Sequence, residues 1–418
     1  MMKNKNTLAE LTRKDFPMFS GSINPNKQQI YLDHAATSQK PISVINSLNE
    51  YYRKYNANVH RGAHQLSRSA TEAFEAARET TAKFINAFSS KEIIFTRNAT
   101  EAINLVAHSW GEENIHEDDE IIVSIMEHHS NIVPWQLLSN RKGCVVKYVN
   151  ITKNGEIDIQ DFKSKINNKT RLVSLVHISN TLGCCNPISE IAEISHKFGA
   201  LMLVDACQSL AHQIIDIQKL KVDFLAGSSH KICGPTGVGF LWGKEEILNR
   251  MPPFLGGGEM IKDVFLNEST WADIPHKFEA GTPAIGEAIA MGNAIEYLSS
   301  IGLNNIQNWE KELTKYLFEK LTAIKGLKTL GPHPSEQPNR GALATFSVGD
   351  IHANDIAELL DSNNIFIRSG HHCCQPLHRF YSLNSTARAS LSFTTTFEEI
   401  DTFVKELENS VNLLRNYI

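Results

Sequence analysis

The chain carries no excess of positive charge: 41 Lys and Arg stand against 46 Asp and Glu in 418 residues, a formal net charge of −5. A surface of that balance offers no polybasic face, which argues against nucleic acid or another polyanion as a partner. The chain also lacks the roughly 20-residue apolar run that a bilayer crossing needs. The run Ile121-Ile-Val-Ser-Ile-Met, for example, stops at Glu127. The first ten residues, Met-Met-Lys-Asn-Lys-Asn-Thr-Leu-Ala-Glu, have basic side chains without an apolar core, and acidic Glu10 and Asp15 lie among or just after them. They match neither a secretory signal nor a transit peptide. A cytoplasmic location is expected, with a plastid stroma as the alternative. Cysteine is sparse and odd in number, seven in all, and no Cys-x-x-Cys pair occurs. That pattern disfavours a disulfide framework and points to reduced thiols. Internal repeats and low-complexity linkers are absent too.

What is present is an ordinary globular composition, 42% hydrophobic and 21% charged, in a chain long enough for two or three domains. From Ser89 to Gly243, short β-branched runs alternate with segments of helical period. Strands are expected at 121–125, 145–149, 172–178, 201–204, 224–226 and 238–242, and helices at 71–86, 101–110 and 188–198, the last opened by Pro187 in its first turn. Such alternation predicts βαβ units around a mostly parallel sheet. After Gly281 the pattern changes. Long helical segments at 286–300, 305–324 and 397–417 enclose short strands at 342–348 and 389–393, which predicts a smaller α+β unit. The expected division is a segment 1–25 packed on the small domain, a large domain 26–295 and a small domain 296–418.

Chemistry concentrates at strand ends, where α/β proteins place it. Lys231 lies in Ser228-Ser-His-Lys-Ile-Cys-Gly-Pro-Thr-Gly, an amine set among hydroxyls, an imidazole and exposed backbone. That setting suits a carbonyl partner and a phosphate better than it suits a solvated surface charge. Asp205 ends the apolar run Leu201-Met-Leu-Val. It either caps the next helix or faces a pyridine ring, which its charge would keep protonated, with Gln208 donating to the ring's oxygen. Ala99 and Thr100 open a helical pattern after Ile93-Ile-Phe-Thr. They form either a simple cap or a phosphate cradle. His128 follows another strand, where an imidazole can stack on a flat cofactor and move protons.

A second concentration is Arg368-Ser-Gly-His-His-Cys-Cys-Gln-Pro. Cys373, flanked by imidazoles and preceded by Arg368, would be partly ionised and nucleophilic. A metal site and a buried inert cysteine pair are the alternatives, and four adjacent residues converge poorly on one tetrahedral ion. Arg388 offers a guanidinium fork that matches an amino-acid carboxylate.

Together these motifs resemble the class V aminotransferase superfamily and, within it, the group II cysteine desulfurases of SufS type. The resemblance runs from Tyr31-Leu-Asp-His-Ala-Ala-Thr to Thr394, through Asn58-Val-His-Arg-Gly, Glu127-His-His, Ser179-Asn-Thr-Leu-Gly, the lysine motif, Phe254-Leu-Gly-Gly-Gly-Glu-Met and Arg368-Ser-Gly-His-His-Cys. It implies the type I fold of pyridoxal-phosphate enzymes, with a mostly parallel seven-stranded sheet and a smaller α+β domain, assembled as a homodimer. By the same resemblance Lys231 holds pyridoxal phosphate, His128 stacks on it, Asp205 and Gln208 bind its ring, and Ala99, Thr100, Ser228 and His230 hold its phosphate. Thr282 reaches that phosphate across the dimer interface. Asn180 and Arg388 take the substrate carboxylate, while His60 and Arg368 line the pocket.

The implied reaction converts L-cysteine to L-alanine and leaves a persulfide on Cys373 for a SufE-like or SufU-like acceptor in iron–sulfur cluster assembly. Selenocysteine is an alternative substrate. An eliminating lyase or an aminotransferase would have no use for the Cys373 thiol, and a catalytically silent scaffold would have no use for Lys231 and Asp205. Cys374 departs from the family, which commonly carries alanine there. It is expected to be silent, and Cys184, Cys185, Cys207 and Cys233 to be small apolar filler.

Overall fold

The computed structural model describes residues 7–20 and 29–416. The expected boundary at 25/26 and the last residue of the expected helix 397–417 lie outside them. Strand β1 (Ile30–Tyr31) comes first, followed by seven strands of one sheet: β2 (Ile93–Thr96), β3 (Glu120–Ser124), β4 (Val145–Val149), β5 (Thr170–Val176), β6 (Leu201–Asp205), β7 (Phe224–Ser228) and β8 (Gly239–Gly243). Their order across the sheet is β2-β8-β7-β6-β5-β3-β4. β8 runs antiparallel to both neighbours and every other pairing is parallel.

β3, β7 and β8 are buried along their whole length, and β5 is buried except at Arg171. Helices cover both faces of such a sheet, so its strands read as continuous apolar runs without alternation. The carboxyl ends of β2, β5, β6 and β7 gather at one edge. There Val176 pairs with Asp205, and Gly239 pairs with both Thr96 and Ser228. That edge is where the candidate residues emerge.

Helix Gln65–Phe84 forms because Ala70, Phe74, Ala77 and Thr81 fall on one buried face and His64 caps the Ser67 amide. Burying a side chain such as Phe74 contributes about 2 kcal/mol. Helix Ile285–Ile301 packs against that face at close range. A Cβ on Gly292 would lie 2.8 Å from the Ala77 Cβ, so only glycine lets the two backbones approach this far. The expected division at 295/296 falls inside this helix. Pro187 sits just outside helix Ile188–Lys197, at its N-cap rather than in its first turn.

A hairpin of β9 (Ile261–Val264) and β10 (Ser269–Trp271), not anticipated from the sequence, follows the main sheet. The remaining strands are β11 (Leu327–Leu330), β12 (Leu343–Val348), β13 (Ile365–Phe366), β14 (Arg368–Gly370) and β15 (Thr386–Ser390). Four of them form an antiparallel sheet in the order β11-β12-β15-β14. The strand expected at 389–393 therefore starts earlier and ends at Ser390. Beyond it the chain turns, held by Ser392 N donating to Thr395 Oγ1 at 3.1 Å. Arg388 lies in the middle of this strand, opposite Thr345 on one side and Arg368 on the other.

Three links tie the N-terminal part of the chain to this region. β1 pairs in parallel with β13, and Arg13 Nη2 meets Glu399 Oε1 at 2.7 Å. The Phe16 ring also packs edge-on against Phe393.

Candidate active site

A cavity of about 300 Å3 opens at the carboxyl edge of the main sheet. It is lined by Ala99, Thr100, His128, Asn180, Asp205, Gln208, Ser228, His230, Lys231, Arg368, Cys373 and Arg388. These residues come from the ends of different strands and from the segment 368–388, so folding brings together twelve of the fourteen residues expected from sequence.

At the inner end Asp205 is buried, with Oδ1 accepting from the Cys207 amide at 2.9 Å. Lys231 stands in the single helical turn Ser229–Lys231 that follows β7, and its amine has no hydrogen-bond or ion-pair partner among the described residues. His128 Nδ1 accepts from the Ser130 amide at 3.1 Å, which leaves the ring proton on Nε2. Burial, reinforced by the Lys231 charge, pulls the His128 pKa down to about 4, so the ring is neutral near pH 7. Burial and the same lysine hold His230 down to about 4. Gln208 Nε2 donates to the Ala35 carbonyl at 2.8 Å.

Where helix Ala99–Val106 begins, the Ala99 amide donates to Ser228 Oγ at 2.8 Å, and Thr100 Oγ1 lies 2.7 Å from Ser130 Oγ. β8 passes close beneath: a Cβ on Gly239 would sit 2.8 Å from the Asn98 Cα. The helix start, its hydroxyls and the glycine beside them form a cradle for a phosphate. An unpartnered amine and a buried carboxylate share the same cavity. This donor set fits pyridoxal phosphate: a carbonyl partner for Lys231, a protonated ring nitrogen for Asp205 and a phosphate for the helix start.

The outer end is cationic. Arg388 is fully enclosed, donating from Nη1 to the Asn180 carbonyl at 2.9 Å and from Nη2 to Asp33 Oδ1 at 3.2 Å, while Nε is unpartnered among the described residues. Arg368 Nη2 grips the same carboxylate at 2.9 Å. Asp33 thus bridges the two arginines, a role sequence reading missed although the residue lies inside the quoted Tyr31 motif. Its signal was an acidic residue two positions after the end of the short strand Ile30–Tyr31.

Cys373 is exposed on a backbone turned into the left-handed region, with φ of 50° at His372 and 57° at Cys373. The His129 amide holds the Cys373 carbonyl at 2.8 Å. Cys184, Cys207 and Cys233 are buried, and burial pushes each thiol upward, which agrees with a filler role.

Two expected residues lie elsewhere in the chain's own fold. Thr282 lines a separate cleft of about 520 Å3, shared with Arg97 and Glu101, and its hydroxyl lies 3.4 Å from Asn58 Nδ2. His60 bonds through Nε2 to Glu75 Oε1 at 3.0 Å, and its ring stands 4.8 Å from that of His276. Its expected place in the pocket is thus not met within one chain, because the loop carrying it packs on helix Gln65–Phe84.

Residues 30–403 match the model of the aminotransferase class-V family. A probable cysteine desulfurase of Synechocystis sp. is 54% identical over 405 residues, covering 97% of this chain and 96% of that protein. One of Halalkalibacterium halodurans is 48% identical over 398 residues, covering 95% and 97%. Among solved structures, the apo cysteine desulfurase of Thermococcus onnurineus NA1 superposes with a TM-score of 0.92 at 37% identity, covering 98% of this chain and all of that one. The cysteine desulfurase CsdA of Escherichia coli gives 0.90 at 32%, with the same coverage. The chain belongs to the class-V aminotransferase family of pyridoxal-phosphate enzymes and, within it, to the cysteine desulfurases.

Proposed function

We propose that this cysteine desulfurase moves sulfur from L-cysteine onto Cys373 and hands it from there to an acceptor protein. The observation that carries the reading is that an exposed thiol, Cys373, and an unpartnered amine, Lys231, line one cavity. Pyridoxal phosphate, when bound, supplies an electron sink for bond cleavage at the substrate carbons. In this reading Lys231 is its covalent anchor, Asp205 holds the ring nitrogen protonated, and Gln208 hydrogen-bonds the ring. His128 covers the ring face as a neutral imidazole able to take or return a proton at Nε2. Ala99, Thr100, Ser228 and His230 hold the phosphate.

Arg388 and Asn180 bind the substrate carboxylate, and Arg368 closes the pocket around it. The Cys373 thiolate attacks the substrate sulfur. The carbon–sulfur bond breaks, its electron pair stays with carbon and is protonated, and L-alanine leaves. Cys373 is then a persulfide, with no external oxidant consumed. The exposure of Cys373 suits delivery to a SufE-like or SufU-like protein for iron–sulfur cluster assembly.

The same reading makes the enzyme a cytoplasmic homodimer in which Thr282 serves the partner's cavity. It divides each chain into an N-terminal segment, a large cofactor-binding domain and a small domain carrying the thiol loop. Its test is to incubate the holoenzyme and Cys373→Ser with L-cysteine and a reductant while following alanine and sulfide. Equal amounts of both from the parent and neither from the variant are expected. Undiminished turnover by the variant would remove the thiol from the mechanism and point to an eliminating lyase that accepts selenocysteine or cysteine.

A further inference from the structure

Cys374 stands directly after the reactive thiol in the chain. Its side chain is fully buried, and its Sγ lies 3.3 Å from Asn180 Oδ1 and 3.7 Å from the Met126 carbonyl. Asn180 is itself buried and occupied on its other sides. Nδ2 donates to the His372 carbonyl at 2.8 Å, and its own carbonyl accepts from Arg388 Nη1 at 2.9 Å. The amide can serve His372 only with Oδ1 turned towards Cys374, where the thiol is the donor it meets. Burial pushes the Cys374 thiol up to about 12, so its proton stays in place near pH 7.

The bond to the His372 carbonyl restrains an unfavourable backbone. His372 and Cys373 both have positive φ, a conformation that costs a non-glycine residue on the order of 1 kcal/mol or more and persists only where the surroundings enforce it. Three contacts enforce it here: Asn180 Nδ2 on His372 O, the His129 amide on Cys373 O at 2.8 Å, and the Cys374 amide on His371 O at 2.8 Å. The first depends on which way the Asn180 amide points.

We infer that Cys374 is a positioning residue: its thiol proton fixes the Asn180 amide and, through it, the left-handed turn that presents Cys373 beside Arg388. The inference rests on the proposed function for the meaning of Asn180 and Arg388, but the position of the Cys373 loop can be measured without turnover. Cys374→Ala leaves Asn180 Oδ1 without its donor in a buried place, whereas Cys374→Ser keeps a donor.

The experiment compares the holoenzyme with both variants. One readout is the rate at which iodoacetamide alkylates Cys373, followed by mass spectrometry; the other is the KM and kcat for L-cysteine. Loss of one hydrogen bond of about 1 kcal/mol corresponds to roughly a fivefold change. The alanine variant is expected to change the alkylation rate about threefold or more and to raise KM about fivefold, and the serine variant to stay near the parent in both. Parent-like behaviour of the alanine variant in both readouts would overturn the inference. Equal impairment of alanine and serine would also overturn it, by assigning the effect to packing of the sulfur. A parent without desulfurase activity would count against the proposed function alone, since the alkylation comparison would still decide the positioning role.

Discussion

Arg388 Nη2 donates to Asp33 Oδ1 at 3.2 Å, joining side chains 355 residues apart in sequence. The arginine is 2% exposed and its Nε has no partner among the described residues, so the Asp33 charge is what balances a guanidinium placed out of water. Removing one member of a buried pair leaves the other uncompensated, typically at a cost of about 3 kcal/mol or more. Asp33→Ala should lower the unfolding free energy measured in urea by that amount and raise the KM for L-cysteine as Arg388 loses its orientation. A loss under about 1 kcal/mol would mean that the Asn180 carbonyl alone is sufficient company for Arg388.

Lys231→Ala should fold normally, because among the described residues the amine makes no hydrogen bond or ion pair that the fold would lose. Alanine formation from L-cysteine should fall at least about a thousandfold. Borohydride treatment should leave pyridoxal phosphate covalently attached to the parent and not to the variant. Retained attachment in the variant would place the anchor on another lysine.

Gly292→Val tests the packing beneath the main sheet. Valine would bring a Cβ to 2.8 Å from that of Ala77, and its two methyl groups have no room. Better helix propensity than glycine favours the variant by less than about 1 kcal/mol, whereas overpacking costs about 1–3 kcal/mol. Net destabilisation is therefore expected, visible as a lower melting temperature; an unchanged value would show that the two helices can separate freely.

Acid should unfold the protein partly through buried imidazoles. Burial holds His177 down to about 4 and His34 down to about 3. The unfolded chain binds these protons below about pH 6.5 while the folded chain refuses them, so stability is complete above that pH and drains as the pH falls towards 4. His177→Gln should flatten the decline measured by urea unfolding across that window. A decline as steep as the parent's would exclude this residue as a contributor.

Glu127 works with the opposite sign. Burial raises its pKa to about 8, against hydrogen bonds from Ser124 Oγ at 2.5 Å and Asn131 Nδ2 at 2.7 Å. The folded state keeps a proton that the unfolded state has released, so the stability it contributes is present below about pH 4.5 and lost as the pH rises through 8. Glu127→Gln mimics the protonated form. It should match the parent near pH 5 and exceed it near pH 9 by on the order of 2 kcal/mol; equal stability at the higher pH would show that the carboxyl is ionised in the fold.

Several features were legible because they depend on residue type and local period. Buried parallel strands must be apolar along their length, so β3, β5, β6 and β7 stand out in sequence. Residues at their carboxyl ends, Asp205, Ser228, His230, Lys231 and His128, inherit the position where this topology places chemistry. The small antiparallel sheet was less legible. Its strands β11 and β14 are short and partly exposed, so their pattern is weak, and the register that puts Arg368 beside Arg388 is a pairing between segments whose side chains meet only in the fold.

By itself, then, the sequence determined the alternation of strands and helices, the identity of the reactive groups and the family to which they belong, because each is written in neighbouring residues. The tertiary structure alone decided that Asp33 bridges Arg368 and Arg388, that Cys374 faces Asn180, and that His60 and Thr282 lie outside their own chain's cavity. Those relations join segments hundreds of residues apart. They arise from how the two sheets and their helices pack, and no local pattern in the chain encodes a distance between surfaces that meet only once both have formed.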